Sequence, residues 1–249
     1  MNIKAFIPNF ITLLNLFSGS VAVIFAVNNH FIFAAFFVFL GIFFDFFDGL
    51  LARKLNVQSD LGLQLDSLAD MVTSGLVPGI VVFKLLELAS NSKAVTSIDE
   101  WSETMQWTGY TFNLLPFIGL FITLASAYRL ARFNLDEEQQ SYFKGLPTPA
   151  NALLILSLPL ILEFQNNDLI NSIILNKWFL IVLTILSCYI LNSSVKLFAL
   201  KFKNWSFKSN AVRYIFIILS IVLLVVLHFA AIPLIIILYI LLSLFNNIN

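Results

Sequence analysis

Between Ala5 and Phe44 the chain carries no Asp, Glu, Lys or Arg, and beyond Arg213 no charged residue occurs at all. About 20 apolar residues make one membrane-crossing helix. The first run is too long for a single crossing and breaks at Asn28-Asn29-His30, which predicts helices near 9–27 and 31–51. A cleaved signal peptide is the competing reading of the start, but the apolar run is longer than such a segment and a second span follows at once. A third helix is expected near 62–86, kinked around Gly75, Pro78 and Gly79. Residues 88–109 are polar, with Asp99, Glu100 and Glu103, and read as a loop. Helices near 111–131, 149–164 (short, with Pro159) and 177–195 follow, separated by a loop at 134–147. The last run divides near His228–Pro233 into helices at about 213–228 and 231–246. The expectation is therefore an all-α polytopic membrane protein of about eight transmembrane helices, forming one domain over 1–249. Six is the alternative, if the last 36 residues pack as one re-entrant unit.

Composition agrees. The chain is 59% hydrophobic and 11% charged, with 27 Phe and a mean hydropathy of +0.92, which no soluble domain of 249 residues sustains. The formal net charge is zero, so nothing draws the chain towards nucleic acid. The single Cys188 excludes an intrachain disulfide and a cysteine zinc site, and is read as a small buried residue. His30 and His228 fall at segment ends and are read as interfacial. The many Phe of the second helix, Phe31 to Phe47, are read as lipid-facing or packing surface.

Charge placement gives an orientation. With the N-terminus inside, Lys4, Arg53, Lys54, Arg129, Arg132, Lys144, Lys196, Lys201, Lys203, Lys208 and Arg213 fall on the cytoplasmic side. Lys93 and Lys177 fall outside, and Lys84 near an outer helix end. The positive-inside rule then puts both termini in the cytoplasm.

Against this apolar background stand Asp45, Asp48, Asp66 and Asp70. Ionisable groups inside a membrane are costly and mark function. Spacings of three and four residues place each pair on one helix face. Two such faces would gather four carboxylates into an oxygen-rich site suited to Mg²⁺ or Mn²⁺, at the cytoplasmic boundary. The alternative is two helices whose aspartates face a polar loop or pair with nearby basic residues. Gly49 would admit a phosphate-bearing ligand close to the backbone.

The full spacing, D-x2-D-G-x2-A-R-x8-G-x3-D-x3-D from Asp45 to Asp70, resembles the signature of the CDP-alcohol phosphotransferases at all its specified positions. The resemblance implies a CDP-linked lipid or alcohol as donor and CMP as leaving group. It implies Asp45, Asp48, Asp66 and Asp70 as ligands of two divalent ions, and Asp70 as the base for the acceptor hydroxyl. Arg53 is then placed to contact the pyrophosphate, Gly49 and Gly62 to admit the nucleotide, and Ala52 to allow close packing. Lys54 reads as a positive-inside anchor.

Three further stretches resemble the membrane-type phosphatidylserine synthases of bacteria and archaea. They are Pro8-Asn9-Phe-Ile-Thr12-Leu-Leu-Asn15-Leu-Phe-Ser18-Gly19, Arg129-Leu-Ala-Arg132-Phe-Asn134 and Phe143-Lys144-Gly145-Leu-Pro147-Thr-Pro149-Ala150. This branch implies CDP-diacylglycerol and L-serine as substrates, the cell (inner or plasma) membrane as location, and a homodimer. Arg129, Arg132 and Lys144 could bind the serine carboxylate through charge-assisted forks, or could simply anchor the helix ends. Asn9, Thr12 and Asn15 share a stripe that could reach the nucleotide or hydrogen-bond between helices. The rivals are a sibling transferase acting on glycerol phosphate or inositol phosphate, and an ion-coupled transporter. The transporter has no need of the D-G-x2-A-R element.

Overall fold

The computed structural model describes residues 3–91, 113–135, 142–165, 167–198 and 207–246. The polar stretch with Lys93, Asp99, Glu100 and Glu103, the acidic Asp136-Glu137-Glu138, and Lys201 and Lys203 lie outside the described residues. Among the described residues four stretches are long and apolar enough to cross a membrane: Phe6–Val27, Phe31–Lys54, Asp60–Ser90 and Asn210–Phe245, the last interrupted at His228–Ala230. A bent helix pair brings the number to five if it counts as one span.

Helices α1 (Ile3–Val27) and α2 (Phe31–Lys54) form an antiparallel hairpin. Its turn is tight because Asn29 takes a left-handed φ of 61°, a conformation that asparagine tolerates well. Phe25 stacks on Phe33 and Phe37 across the hairpin at 5.2 and 5.6 Å. Phe36, Phe39, Phe43 and Phe46 point outward, the lipid-facing role that the sequence suggests.

The third helix is longer than its sequence pattern indicates and is not simply kinked. It begins as α3 (Asp60–Asp70), passes through a π-helical segment (Met71–Leu76) and continues as α4 (Val77–Asn91). Ser59 caps the start, its Oγ accepting from the Gly62 N–H at 3.1 Å, and Asp60 adds an acidic side chain to the first turn. The wider π turn loosens the helical ladder. Thr123 of the neighbouring helix donates to the Gly75 carbonyl at 3.2 Å there.

The next span starts as a 3-10 turn (Leu115–Leu120) and becomes α5 (Phe121–Leu135). Gly79 and Gly119 let this turn sit directly on α4: a Cβ on Gly119 would lie 3.0 Å from the Gly79 carbonyl oxygen. Small residues at such crossings are how helices pack without a hydrophobic drive. Helix α6 (Thr148–Phe164) is short and among the most buried elements, and Pro159 lies within it. A helix that the sequence pattern does not predict, α7 (Asp168–Ile174), meets α8 (Lys177–Asn192) at 60°. Asn167 and Asn176 cap the two, each accepting from two backbone N–H groups.

Helices α9 (Phe207–Leu227) and α10 (Ala231–Asn246) fold back on one another. The turn falls at His228, whose φ is 46°, and Gln165 holds it by donating to the Leu227 carbonyl and accepting from the Ala230 N–H. Phe216 and Tyr239 lie 5.6 Å apart, as an antiparallel pair requires. The last apolar run is therefore two helices, as its break near His228–Pro233 indicates.

The all-α expectation needs one correction. Strands β1 (Tyr142–Lys144) and β2 (Lys196–Phe198) form an antiparallel ribbon with Lys144 opposite Lys196. Three residues per strand give no readable alternation, so the sequence conceals it. The ribbon is pinned by Gly145, which has φ +73° and lies against the backbone carbonyls of Ile190 and Leu191. Its N–H donates to Val195 O at 2.9 Å. We expect Gly145→Ala to destabilise the protein by about 1 kcal/mol or more, since the φ is strained for any side chain and the space is already filled. An unchanged thermal midpoint in detergent would contradict this.

Candidate active site

Two helix ends build the centre of the site. Asp45 and Asp48 sit on the last turns of α2, and Asp66 comes from α3. Each of the three offers a carboxylate oxygen within 4.8 Å of the others. Asp48 is almost wholly buried, and Asp66 Oδ1 is buried with no hydrogen-bond partner. Among the described residues none of these aspartates makes an ion pair within 4 Å; the one pair present is Lys84–Glu87. Like charges held this close repel strongly unless a cation joins them. An all-carboxylate donor set with an unused buried oxygen fits a hard divalent ion.

Asp70 stands apart from this group, one turn further along α3. It accepts from Asn15 Nδ2 of α1 at 3.3 Å. Three of the four expected ligands thus converge, and the fourth follows Asp66 by one turn of the same helix.

Helix α1 supplies the other wall. Thr12 donates to Asp48 Oδ2, with the Pro8 carbonyl 3.1 Å away as its other acceptor. Asn9 and Thr12 line a cavity of about 430 Å³ with Asp48, Gly49, Ala52, Arg53, Gly62 and Asp66. Asn9, Thr12, Gly49, Arg53 and Gly62 therefore border one space, whereas Asn15, the third residue of the α1 stripe, is buried and bonds to Asp70 instead. Packing does not demand glycine at position 49: a Cβ there would meet nothing closer than Arg53 Nη1, at 3.7 Å. The space left by Gly49 is cavity, consistent with a ligand approaching the backbone under the Arg53 guanidinium. Gly62 is tighter, its virtual Cβ lying 3.2 Å from Asn9 Oδ1 and 3.3 Å from Ser59 Oγ. That glycine lets the start of α3 sit against α1.

A second, much smaller cavity, about 10 Å³, is lined by Arg129, Arg132, Phe133, Lys144, Leu191, Asn192 and Ser193. It has room for about one water. Arg129 and Arg132, equivalent by sequence, separate here. Arg129 is only 7% exposed, its Nε lacks a hydrogen-bond partner, and its Cζ lies 5.9 Å from the Phe133 ring centroid. Arg132 is exposed. Lys144 reaches the same cavity from the β1–β2 ribbon.

Several contributors escape sequence reasoning. Tyr239 Oη donates to the Phe198 carbonyl at 2.9 Å, and the Phe198 N–H reaches Ser243 Oγ at 3.4 Å, so α10 braces the ribbon that presents Lys144. Asn134 and Ser67 hydrogen-bond at 2.9 Å, tying the end of α5 to α3. Thr73, in the π segment, contacts Asn15. Only the RLARFN stretch containing Asn134 carried any signal of these roles.

The profile of the CDP-alcohol phosphatidyltransferases matches residues 5–190, a range that holds the larger cavity, the four aspartates and both arginines. The chain is 32% identical over 172 residues to a CDP-diacylglycerol–serine O-phosphatidyltransferase of Bacillus subtilis, covering 68% of this chain and 81% of that protein. It is 30% identical over 168 residues to the protein of that name from Methanocaldococcus jannaschii, covering 68% and 66%. A third of that name, from Saccharomyces cerevisiae, is 31% identical over 166 residues, covering 60% and 52%. The chain thus spans between about half and four fifths of these relatives. Carboxylates converging beside a glycine-floored cavity, within a profile match over most of the chain, lead to one conclusion: this protein belongs to the CDP-alcohol phosphatidyltransferase family.

Proposed function

We propose that the protein transfers a phosphatidyl group from CDP-diacylglycerol to the hydroxyl of L-serine, giving phosphatidylserine and CMP. The observation that carries this is the convergence of Asp45, Asp48 and Asp66 on the cavity floored by Gly49 and flanked by Arg53. The names of the relatives point to serine as acceptor.

The cavity would hold the cytidine diphosphate part of the donor, with Arg53 against the pyrophosphate and Asn9 and Thr12 along one wall. Asp45, Asp48, Asp66 and Asp70 would hold one or two divalent ions, Mg²⁺ or Mn²⁺. Such ions neutralise a pyrophosphate and polarise the phosphorus under attack. The serine oxygen bonds to the phosphorus that carries diacylglycerol. The bond from that phosphorus to the bridging oxygen breaks, and the oxygen leaves with CMP. Asp70 takes the hydroxyl proton. Its place one turn beyond Asp66, outside the group of three carboxylates, suits that task. Arg129, Arg132 and Lys144 would then grip the serine carboxylate, Arg132 and Lys144 moving at the rim to enlarge the small cavity.

The same reading places the protein in the cell membrane as one domain, with the site at the cytoplasmic face, both termini inside, about eight transmembrane helices and a homodimeric assembly. The distribution of basic residues supports this orientation. Cysteines at Ser59 and Ser172, in a Cys188→Ala background, test it with an impermeant maleimide on intact cells. Position 172 should react and position 59 should not; the reverse would invert the topology.

The function is tested by CMP release from CDP-diacylglycerol in purified protein with Mg²⁺ or Mn²⁺, offering serine, glycerol 3-phosphate or inositol phosphate in turn. Serine-dependent release, abolished by chelation, is expected. Release with a phosphorylated acceptor alone would move the protein to a sibling activity, and metal-dependent ion flux without CMP release would make it a transporter.

A further inference from the structure

Asp70 is held by more than its own helix. Asn15 Nδ2 donates to Asp70 Oδ1 at 3.3 Å, while Asn15 Oδ1 accepts from Thr73 Oγ1 at 2.8 Å. The Asn15 backbone carbonyl, 3.2 Å from the same hydroxyl, is a second acceptor. Asn15 and Thr73 are fully buried, so no water competes for the bond between them. The chemistry also fixes the direction of the chain of bonds. An ionised carboxylate only accepts, so the amide must turn its NH₂ towards Asp70, and its oxygen then needs a donor. Thr73 is that donor.

The surroundings are shaped to this hydroxyl. Thr73 lies in the π-helical segment immediately after Asp70. Gly41 of α2 leaves room for it: a Cβ there would come 2.6 Å from Thr73 Cγ2 and 2.8 Å from Asn15 Oδ1. Gly19 of α1 does the same, its virtual Cβ lying 3.0 Å from the Thr73 backbone. Two glycines from two helices thus make room for the Thr73–Asn15 pair, and Asn15 carries it to the Asp70 carboxylate. A helix pair needing only close packing would be served as well by an apolar residue of the same shape at position 73.

We propose that Thr73 and Asn15 are positioning residues. Thr73 locks the Asn15 amide, and Asn15 in turn fixes one oxygen of Asp70 so that the other faces the reacting centre. The proposal rests on the reading of Asp70 as metal ligand and base. Hydrogen-bond partners of ligating carboxylates are typically worth 10–100-fold in metal affinity or activity.

The test compares Thr73→Val, which keeps shape and loses the hydroxyl, with Thr73→Ser, which keeps the hydroxyl. Three readouts are taken on detergent-purified protein: kcat and KM for CMP release, Mn²⁺ affinity by electron paramagnetic resonance, and the thermal midpoint. The expected result is that Thr73→Val lowers kcat about tenfold and weakens Mn²⁺ binding by a similar factor. KM for CDP-diacylglycerol should stay within about twofold, and Thr73→Ser should recover most of both losses. Equal losses in the two variants, or a Thr73→Val protein with wild-type kcat and Mn²⁺ affinity, would overturn the positioning role. Should the wild type bind Mn²⁺ yet release no CMP with any acceptor, the transferase reading fails. The Mn²⁺ comparison then still decides the proposal.

Discussion

Asp45→Asn and Asp66→Asn should each abolish CMP release, by about a thousandfold or more, while leaving a folded and monodisperse protein. Each swap keeps shape and removes one negative charge from a group whose oxygens lie within 4.8 Å of one another. An amide oxygen is a weak replacement for a carboxylate towards a hard dication, and electrostatic stabilisation of a charged transition state commonly contributes more to catalysis than any other effect. Stability should move the other way. Without metal the three carboxylates repel, so removing one charge should leave the metal-free protein at least as stable as wild type. With Mn²⁺ the order reverses. A ligand that binds only the folded state adds about 2.7 kcal/mol at a hundred times its Kd. Wild type should gain this and the variants should not. Paired thermal scans with and without Mn²⁺, beside CMP release, read both effects. Near wild-type turnover in either variant would remove the metal assignment, and an equal Mn²⁺ shift in all three proteins would separate metal binding from these residues.

That the aspartates could be found from sequence has a physical reason. A charge within an apolar helix has few structural uses, so each one stands out, and helical spacing of three or four residues already shows which face it occupies. Arg53 and Gly62 were singled out through the resemblance of the whole spacing to the family signature, and Gly49 also by its missing side chain beside Asp48; the structure brings all three to one cavity. Legibility fails where position depends on long-range packing. Nothing in the local sequence distinguishes Arg129 from Arg132, because only the way α5 lies against α3 and the β1–β2 ribbon decides which is buried. Thr73 is unremarkable by composition; it matters because the helix widens into a π turn and because Gly19 and Gly41 come from elsewhere. The ribbon was unreadable since three-residue strands carry no period, and α7 because seven residues are too few for an apolar stripe to register. Helix ends shifted for a related reason: the second helix runs on through Arg53 and Lys54, which favour its C-terminal dipole.

The separation of the two arginines leads to the second large effect. Arg129→Ala should reduce turnover about a hundredfold and raise the serine KM, whereas Arg132→Ala should cost about tenfold or less, falling mainly on serine KM. Arg129 is 7% exposed and its Nε lacks a partner. A buried guanidinium with an unspent donor is expensive to maintain, and the structure offers it no carboxylate within ion-pair distance among the described residues. An acceptor carboxylate would supply the missing partner. One charge-assisted contact is worth about 1.5–3 kcal/mol, roughly ten- to a hundredfold. Arg129 stands at the top of that range because burial removes the screening that Arg132, exposed at the rim, retains. Lysine at 129 keeps the charge but loses the planar fork and the contact with the Phe133 face, so Arg129→Lys should recover less than about a tenth of the loss. Apparent KM for serine and for CDP-diacylglycerol, with kcat, in all three variants decides the matter. Serine KM and turnover unchanged in both Arg→Ala variants would make the two arginines helix anchors. A rise confined to the CDP-diacylglycerol KM would place Arg129 on the donor, and the acceptor carboxylate would then have to be held by Lys144.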